Sequence, residues 1–294
     1  KGACLKFEAA VAGVVPIISS IKNGLAADNL NRVRGVLNGT CNFLLTKMGA
    51  SDASFDEVLA DAQERGFAEA DPSADLDGFD AQAKLSILSA VGLSRPINPH
   101  EIVCRSIRGV SRTDFEAAAL LGCGIRQVST VELTEDRNAV RAEVRPAMVN
   151  LGSRVAQVSG NENVVVVDGR YCGEVTLIGQ GAGGDPTAVA IVSDLLAIAS
   201  GDRAPNLFPS VGASCQVEAM GKRSHYVRVA GPQSVAGILS DLGVVPARIL
   251  EDRDGQVQFV TDRCTTETIE SALRPSETTQ GDRAESAVVL PVID

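Results

Sequence analysis

The chain has 294 residues and a formal net charge of −10, with 45% hydrophobic and 22% charged residues. This composition is typical of a globular protein with one large or two smaller domains. The negative charge disfavours nucleic acid or an anionic membrane surface as a partner. The sequence contains no apolar run of about eighteen residues, so it does not predict a membrane span. Seven cysteines without short paired spacing predict reduced thiols and a cytoplasmic setting, whereas two histidines are too few for a multi-histidine metal site.

The first apolar segment, residues 5–16, contains a single acid, Glu8. Two interpretations are open: an exposed surface charge, or a carboxylate that accepts hydrogen bonds from nearby backbone N–H groups. Pro16 suits the first position of a helix, which we predict to run to about residue 26.

A strand and then a helix are predicted next. Residues 32–37 alternate like a strand, and residues 41–48 have helical spacing. Residues 38–40, Asn-Gly-Thr, could form a simple turn. Because a helix follows, they could instead form a loop whose free amides face an anion at the helix N-terminus. The residues alone leave both interpretations open, and the turn is the simpler of the two.

An amphipathic helix is predicted over residues 54–65. Ser54 and Glu57 resemble a capping box at its start. Gly66 follows the last residue, as is typical of a helix C-terminus.

An acidic stretch comes next, with five carboxylates and no basic residue between Glu69 and Asp80. It leads into an apolar helix, residues 81–93, whose only charge is Lys84. Asp80 and Lys84 are four residues apart, so they share one helix face. A lone lysine with a carboxylate one turn before it suits proton transfer. A structural salt bridge that caps a core helix has the same spacing, and both interpretations stay open.

A calcium loop is a further alternative for this stretch. If Ser73 is position 1, Asp75 and Asp77 fall at positions 3 and 5, and Gly78 falls at position 6. Position 12, where a bidentate glutamate is required, is then Lys84. Because an ammonium cannot ligate a cation, the pattern disfavours calcium.

The centre of the chain predicts a sheet. A helix is predicted over residues 114–121, with Thr113 or Asp114 as its N-cap. Alternation then indicates strands at residues 127–133, 139–144, 164–167 and 174–178. Successive strands separated by tight turns predict an α+β fold with a mostly antiparallel sheet covered by helices.

Residues 179–187 are the most glycine-rich part of the chain. Asp185 can cap, and Pro186 can open, a helix that runs to about residue 199. A glycine-rich loop before a helix is a weak signal for phosphate binding. Since no βαβ unit follows, we do not interpret it as the dinucleotide-binding fingerprint.

The last part of the chain predicts a small β-α-β-β-α-β unit of the ferredoxin-like kind. Its strands are predicted at residues 225–229, 247–251, 256–261 and 287–292, and its helices at residues 233–242 and 266–273. We therefore divide the chain into a domain at residues 1–200, a linker at 201–222 and a small domain at 223–294.

Several segments together closely resemble the homoserine dehydrogenase family. They are residues 7–13 (Phe-Glu-Ala-Ala-Val-Ala-Gly), 37–43 (Leu-Asn-Gly-Thr-Cys-Asn-Phe), 66–72 (Gly-Phe-Ala-Glu-Ala-Asp-Pro), 75–85 (Asp-Leu-Asp-Gly-Phe-Asp-Ala-Gln-Ala-Lys-Leu) and the glycine-rich residues 179–188. The small C-terminal domain resembles an ACT domain, for which the resemblance implies pairing between subunits.

The resemblance implies a reversible, NAD(P)-dependent interconversion of L-aspartate 4-semialdehyde and L-homoserine, in the biosynthesis of threonine, methionine and isoleucine. It implies that Lys84 is the general acid and that Asp80 keeps it charged and aimed. Glu69 and Asp75 would bind the ammonium group of the amino-acid substrate.

The resemblance also implies contacts to substrate or nicotinamide from Gly39 and Thr40, and to the cofactor from Gly183. It further implies a site for a monovalent cation such as sodium, since hard oxygen ligands suit such an ion. Its ligands would be the side chain of Glu8 and the carbonyls of Val11, Gly13 and Val15.

Members of the family begin with a Rossmann domain that carries a Gly-x-Gly-x-x-Gly motif. No such motif stands at the N-terminus of this chain, and a catalytic lysine that the family carries upstream is also absent. We therefore expect the chain to lack the main NAD or NADP site, to be inactive by itself, and to form a homodimer or homotetramer. The alternative is a non-catalytic regulatory or assembly fragment with an ACT-like tail.

Overall fold

The computed structural model describes residues 4–202, 214–230, 246–253, 256–273 and 287–294. Its helices are α1 (Ile17–Ser19), α2 (Gly39–Ala50), α3 (Phe55–Glu64), α4 (Ser73–Leu76), α5 (Phe79–Gly92), α6 (Arg112–Leu120), α7 (Gly184–Ala199) and α8 (Thr266–Leu273). Its strands are β1 (Leu30–Val36), β2 (Val103–Cys104), β3 (Cys123–Leu133), β4 (Val140–Asn150), β5 (Glu162–Gly169), β6 (Gly173–Gln180), β7 (Val217–Glu218), β8 (His225–Ala230), β9 (Pro246–Arg253), β10 (Gln256–Thr261) and β11 (Ala287–Ile293). None of the helices in the described ranges is long and apolar enough to cross a membrane.

One sheet runs through the described part of the molecule, in the order β6-β5-β1-β3-β4-β11-β8-β10-β9. Neighbours along this path are antiparallel, except for β4 and β11, which are parallel. The predicted α+β class, with a mostly antiparallel sheet covered by helices, is confirmed. The prediction of two separate units is not tested, but β11 joins their strands into a single sheet.

The main core lies between this sheet and α5. Val33 of β1 lies in one buried cluster with Leu85 and Leu88 of α5, and Val131, its partner on β3, belongs to the same cluster. All four side chains are fully buried. Burial of each contributes roughly 1.5–3 kcal/mol of transfer free energy, which fixes α5 and its first turn against the end of β1.

The outer side of β4 is paired with three short segments from different parts of the chain. β7 pairs at Val140 and Arg141, β2 pairs at Glu143 and Val144, and β11 pairs further along, opposite Met148 and Val149. Two-residue strands have no readable period, so neither β2 nor β7 was predicted. β7 lies within residues 201–222, which the sequence predicted as a linker.

The C-terminal strands have the order β11-β8-β10-β9, with all neighbours antiparallel. Numbered from β8 along the chain this is 4-1-3-2, the order of a ferredoxin-like unit. The helix predicted at residues 233–242 lies outside the described residues. The likeness to an ACT domain stays a prediction.

The boundaries of α1, α6 and α7 differ from the sequence prediction. After Pro16, α1 covers three residues and continues as a π-helical turn to Gly24, short of residue 26. α6 has Ser111 as its N-cap, not Thr113 or Asp114, because the Asp114 carboxylate reaches back to the N–H group of Ser111 at 2.8 Å. α7 begins at Gly184 rather than after Asp185, and its N-cap is Gly183.

Asp114 also ties α6 to the C-terminal strands. It is fully buried, and its Oδ1 accepts hydrogen bonds from the Tyr226 hydroxyl at 2.9 Å and from Arg228 Nε at 2.8 Å. Arg228 Nη2 donates to Asp114 Oδ2 at 3.1 Å and to the Gly109 carbonyl at 3.0 Å. Burial and the neighbouring carboxylate raise the pKa of Tyr226 well above its ordinary value, so the phenol remains a hydrogen-bond donor.

His225 is a second buried titratable group in β8. Its Nε2 lies 2.9 Å from the Thr266 hydroxyl. Burial, and then the charges of Arg223 and Arg145, lower its pKa from 6.5 to about 3. The imidazole is therefore neutral in the folded protein across the usual pH range.

We expect His225 to destabilise the fold in acid. Between pH 6.5 and about 3 the unfolded chain binds a proton that the folded chain does not, so the free energy of unfolding falls by about 1.4 kcal/mol per pH unit from this group as the pH drops. Urea unfolding from pH 7.5 down to 4 should show a shallower dependence in His225→Gln. His100→Gln, at an exposed position, is the control; equal slopes in wild type and His225→Gln would contradict the assignment.

Candidate active site

Gly78 sets the start of α5 and thereby the position of the predicted ion pair. Its φ is +89°, a conformation that favours glycine, and a Cβ there would lie in a tight contact 3.1 Å from Val144 Cγ1. Asp80 follows in the first turn, where the helix dipole favours a carboxylate. Lys84 Nζ lies 2.6 Å from Asp80 Oδ2, with the two side chains 21% and 32% exposed. The structure thus brings the predicted pair together at a half-buried position.

The ammonium of Lys84 has a second partner at the end of β1. Its Nζ donates to the Leu37 carbonyl at 3.2 Å, and Asn163 Nδ2 donates to the same oxygen at 3.0 Å. The lysine is therefore held between a carboxylate of its own helix and the main chain beyond β1. A salt bridge that only capped the helix would not need this second contact.

Asn38 joins the acids of the site and was not singled out by sequence reasoning. It is the N-cap of α2, and its amide nitrogen contacts both Asp75 and Asp80, at 2.6 Å and 2.9 Å. The signal that could have found it is its place directly before the predicted helix, where asparagine is a favoured cap.

Phe67, two residues before Glu69, contacts α2 through its carbonyl and its ring. The Thr40 hydroxyl donates to the Phe67 carbonyl at 2.7 Å, and the rings of Phe43 and Phe67 lie 4.9 Å apart. Glu69 itself is exposed, and its carboxylate makes no hydrogen bond or ion pair within the described ranges. The structure therefore brings Asp75, Asp80 and Lys84 together but does not place Glu69 in contact with them.

Gly39 lies in a close approach between α2 and the chain before β5. A Cβ at this position would lie 2.8 Å from the Asn161 carbonyl oxygen. As first-turn residues of α2, Gly39 and Thr40 have N–H groups with no acceptor inside the helix. Residues 38–40 thus form a helix N-terminus and not a hairpin turn.

The glycine-rich loop, residues 179–187, packs against Asn163, the residue that shares a hydrogen-bond acceptor with Lys84. A Cβ at Gly181 would meet the Asn163 side chain at 2.1 Å, and Asn163 shares the Leu37 carbonyl with the lysine. Gly183 has a φ of +123° and is the N-cap of α7. The segment of the predicted cation site packs on this loop, because a Cβ at Gly13 would lie 2.6 Å from the Gly181 carbonyl.

Glu8 accepts hydrogen bonds from backbone amides, as one of its two sequence interpretations has it. Its two carboxylate oxygens lie 2.7 Å and 2.8 Å from the N–H groups of Ile18 and Ser19. The Val15 carbonyl accepts from the N–H group of Ile17 at 2.7 Å. Nothing in these contacts tests the cation site with Glu8, Val11, Gly13 and Val15 as ligands, which stays a prediction.

The calcium-loop alternative does not match the local backbone. Ser73, Asp75 and Leu76 lie in α4, and Asp77 caps its C-terminus, so the segment is helical rather than an open ligand loop. Within the described residues, no group of three or more histidine, cysteine, aspartate or glutamate side chains is arranged to hold a metal ion.

Cys41 lies beside the acids but is not a reactive thiol. Burial, together with the charges of Asp75 and Asp80, raises its pKa well above the ordinary value. Its Sγ donates to the Asp75 carbonyl at 3.2 Å, so the side chain supports the acidic segment.

A family model described as homoserine dehydrogenase matches residues 16–196. The chain belongs to the homoserine dehydrogenase family. Among curated homoserine dehydrogenases, that of Synechocystis is 39% identical over 226 residues, which cover 74% of this chain and 52% of that protein. The enzyme of Pseudomonas aeruginosa is 33% identical over 96% of this chain and 69% of its own length. The chain spans about half the length of the curated relatives it first matches.

Solved structures of homoserine dehydrogenases have the same fold. The structure from Thiobacillus denitrificans superposes with a TM-score of 0.85 at 30% identity, covering 98% of this chain and 69% of that one. A hyperthermophilic archaeal homoserine dehydrogenase, solved in complex with NADPH, has a TM-score of 0.57 at 30% identity and covers 68% of this chain and 56% of its own. The Thiobacillus match extends through the C-terminal strands as well as the family region.

Proposed function

We propose that the protein interconverts L-aspartate 4-semialdehyde and L-homoserine with NAD(P)H or NAD(P)⁺, in the biosynthesis of threonine, methionine and isoleucine. Membership of the homoserine dehydrogenase family supports this. The observation that carries it is the half-buried Lys84–Asp80 pair, fixed on a second side by the Leu37 carbonyl.

The residues of the site suit the proton-transfer half of the reaction. A bound nicotinamide would supply the hydride that reduces the aldehyde carbon. The ammonium of Lys84 would give a proton to the oxygen of that carbonyl as negative charge develops there, and would stabilise the charge before transfer. The amine is then reprotonated from solvent, and in the reverse direction it accepts the hydroxyl proton of homoserine.

The acids of the site suit an amino-acid substrate. We propose that Asp75 and Glu69 bind its ammonium group, since a carboxylate forms a strong, charge-assisted hydrogen bond to a cationic donor. Glu69 is exposed and unpaired within the described ranges, so it could turn towards a substrate without breaking an existing contact.

The cofactor is proposed to be NADP or NAD. Supporting observations are the NADPH complex of the archaeal relative, the close approach of the glycine-rich loop to the neighbour of Lys84, and the positive φ of Gly183. We place Gly183 at the cofactor and Gly39 and Thr40 at the substrate or nicotinamide. Since the chain covers about half of its first curated relatives, we propose that the main dinucleotide site lies outside these 294 residues.

A homodimer or homotetramer in the cytoplasm is proposed for the assembly. α7 exposes aliphatic side chains, including Val189, Leu195 and Leu196 at 54%, 59% and 65% exposure, which another domain or subunit would cover. All seven cysteines are free thiols, in keeping with a reducing compartment. Analytical ultracentrifugation of the full-length protein measures the assembly; a strict monomer would contradict it.

The decisive assay is homoserine oxidation by the full-length protein, followed by the absorbance of the reduced nicotinamide. We expect turnover of L-homoserine with NADP⁺ or NAD⁺ and none of L-serine, whose chain is one carbon shorter. The 294-residue chain, assayed in parallel, should show no turnover. If the full-length protein binds nicotinamide cofactor but oxidises no homoserine, the alternative of a regulatory or assembly protein is favoured.

A further inference from the structure

The carboxamide of Asn38 makes three hydrogen bonds, in which both hydrogens of its amide nitrogen take part. The residue is 3% exposed. Its Oδ1 accepts from the N–H group of Cys41 at 2.8 Å, as an N-cap does. Its Nδ2 donates to Asp75 Oδ1 at 2.6 Å and to Asp80 Oδ2 at 2.9 Å. One neutral side chain thus joins two acids that come from different helices, α4 and α5.

The orientation of this carboxamide follows from its surroundings. If oxygen and nitrogen exchanged places, the amide nitrogen would face the N–H group of Cys41 and the oxygen would face two carboxylates. The observed orientation gives each of the two amide hydrogens one carboxylate. Serine and threonine at a helix N-cap could accept the same backbone hydrogen bond, but they have one hydroxyl hydrogen and could not serve both acids.

Leu37, the residue before Asn38, contacts the ammonium of the Lys84–Asp80 ion pair. Asp80 Oδ2 accepts both from Asn38 and from Lys84, whose Nζ also donates to the Leu37 carbonyl. Two consecutive residues therefore hold opposite ends of one ion pair: the main chain of Leu37 holds the ammonium, and the side chain of Asn38 holds the carboxylate. Hydrogen bonds to charged groups are stronger than those between neutral groups.

We propose that Asn38 is a positioning residue that aims Asp80 at Lys84 and keeps Asp75 beside the pair. It takes no proton and forms no bond with the reacting atoms. Its effect on turnover rests on the proposed function. Its effect on the geometry of the Lys84 ammonium can be measured without any substrate.

The competing explanation is that Asn38 only caps α2. Asn38→Ser and Asn38→Asp separate the two roles, because both keep a good cap acceptor and both lose the amide donors. The matched control is Ser54→Ala, which removes the N-cap of α3 and leaves the acids of the site untouched. Ser54 thus shows what the loss of a helix cap alone does, on a helix that packs against α2.

The first readout is the kinetics of the full-length protein. We expect Asn38→Ser to keep a melting temperature near that of wild type while kcat falls about 10- to 100-fold, the loss that one hydrogen bond to a charged group accounts for. Asn38→Asp should fall further, and its kcat/KM profile should move to higher pH, because a third carboxylate repels the two already present. Ser54→Ala should lower the melting temperature and leave kcat and the pH profile unchanged.

The second readout is the proton–nitrogen NMR signal of the Lys84 ammonium in the substrate-free protein. Its hydrogen bonds to Asp80 and Leu37 slow its exchange with water in wild type and in Ser54→Ala, and the signal should be lost in Asn38→Ser. An Asn38→Ser protein with wild-type kcat, pH profile and ammonium signal would overturn the proposal. If that variant does not fold, Asn38→Asp decides on the same readouts. A wild-type protein without homoserine oxidation would refute the proposed function, while the ammonium signal would still decide the role of Asn38.

Discussion

Replacement of Lys84 by alanine is expected to lower kcat for homoserine oxidation in the full-length protein by about 1,000-fold or more. In the proposed mechanism, the change removes both the proton donor and the positive charge that would face the developing alkoxide, and general acid catalysis alone contributes about 100- to 10,000-fold. The fold should persist, because the lysine is partly exposed and lies at the rim of the core rather than within it. Steady-state kinetics and a thermal melt measure the two effects.

Lys47→Ala is the matched control for this experiment. Lys47 also forms an ion pair at 2.6 Å, with Asp61, and it lies on α2 near its C-terminal end, away from Asp80. Its replacement should leave kcat unchanged. Lys84→Arg keeps the charge but not a proton that can be given up, and should recover little activity. Wild-type turnover in Lys84→Ala would remove the lysine from the mechanism.

The second large effect is expected from Asp114, and it concerns stability. Asp114→Ala leaves Arg228 buried without its carboxylate and removes one of the two acceptors of the Tyr226 hydroxyl. Breaking a buried ion pair by removal of one partner lowers the free energy of unfolding by about 3–5 kcal/mol. Urea unfolding at neutral pH measures the loss, which should loosen the contact between α6 and β8 first.

Two comparisons make the Asp114 result specific. Asp61→Ala breaks surface pairs with Lys47 and Arg65 and should leave the stability near that of wild type, because exposed ion pairs contribute little. Combining Asp114→Ala with Arg228→Met removes the unpaired charge and should recover part of the loss. If Asp114→Ala lowered the free energy of unfolding no more than Asp61→Ala, the buried network of Asp114, Tyr226 and Arg228 would not contribute to stability as expected.

The elements of the fold that the sequence predicted are those with a long, regular pattern. Alternation predicted residues 127–133 of β3 and the first half of β4, and the capping box and apolar side predicted α3. The second half of β4, residues 145–150, was missed because its buried positions run on without a period of two. The helix α4 was missed because its four residues are mostly acidic or small. β2 and β7 were missed because they exist only through pairing with β4, a long-range contact that no local pattern contains.

The candidate site divides in the same way. Asp80 and Lys84 were found because a helix converts a spacing of four residues into a contact. Asn38, the Leu37 carbonyl and Asn163 approach them from β1 and β5, tens of residues away along the chain, so spacing could not reveal them. Glu69 was expected to join the acids, but it is exposed on the connection between α3 and α4, where its neighbour Ala68 is the buried residue.

The piecemeal pairing of β4 has a consequence for incomplete chains. An unpaired strand edge is a template for another polypeptide, and β4 is shielded only when three segments from distant parts of the chain have all arrived. β11, which follows the other strands in chain order, also covers β8. A polypeptide that ends before β11, through proteolysis or a premature stop codon, would therefore leave the edges of both β4 and β8 without the partner strand β11. Such a product should aggregate rather than persist as a smaller folded protein.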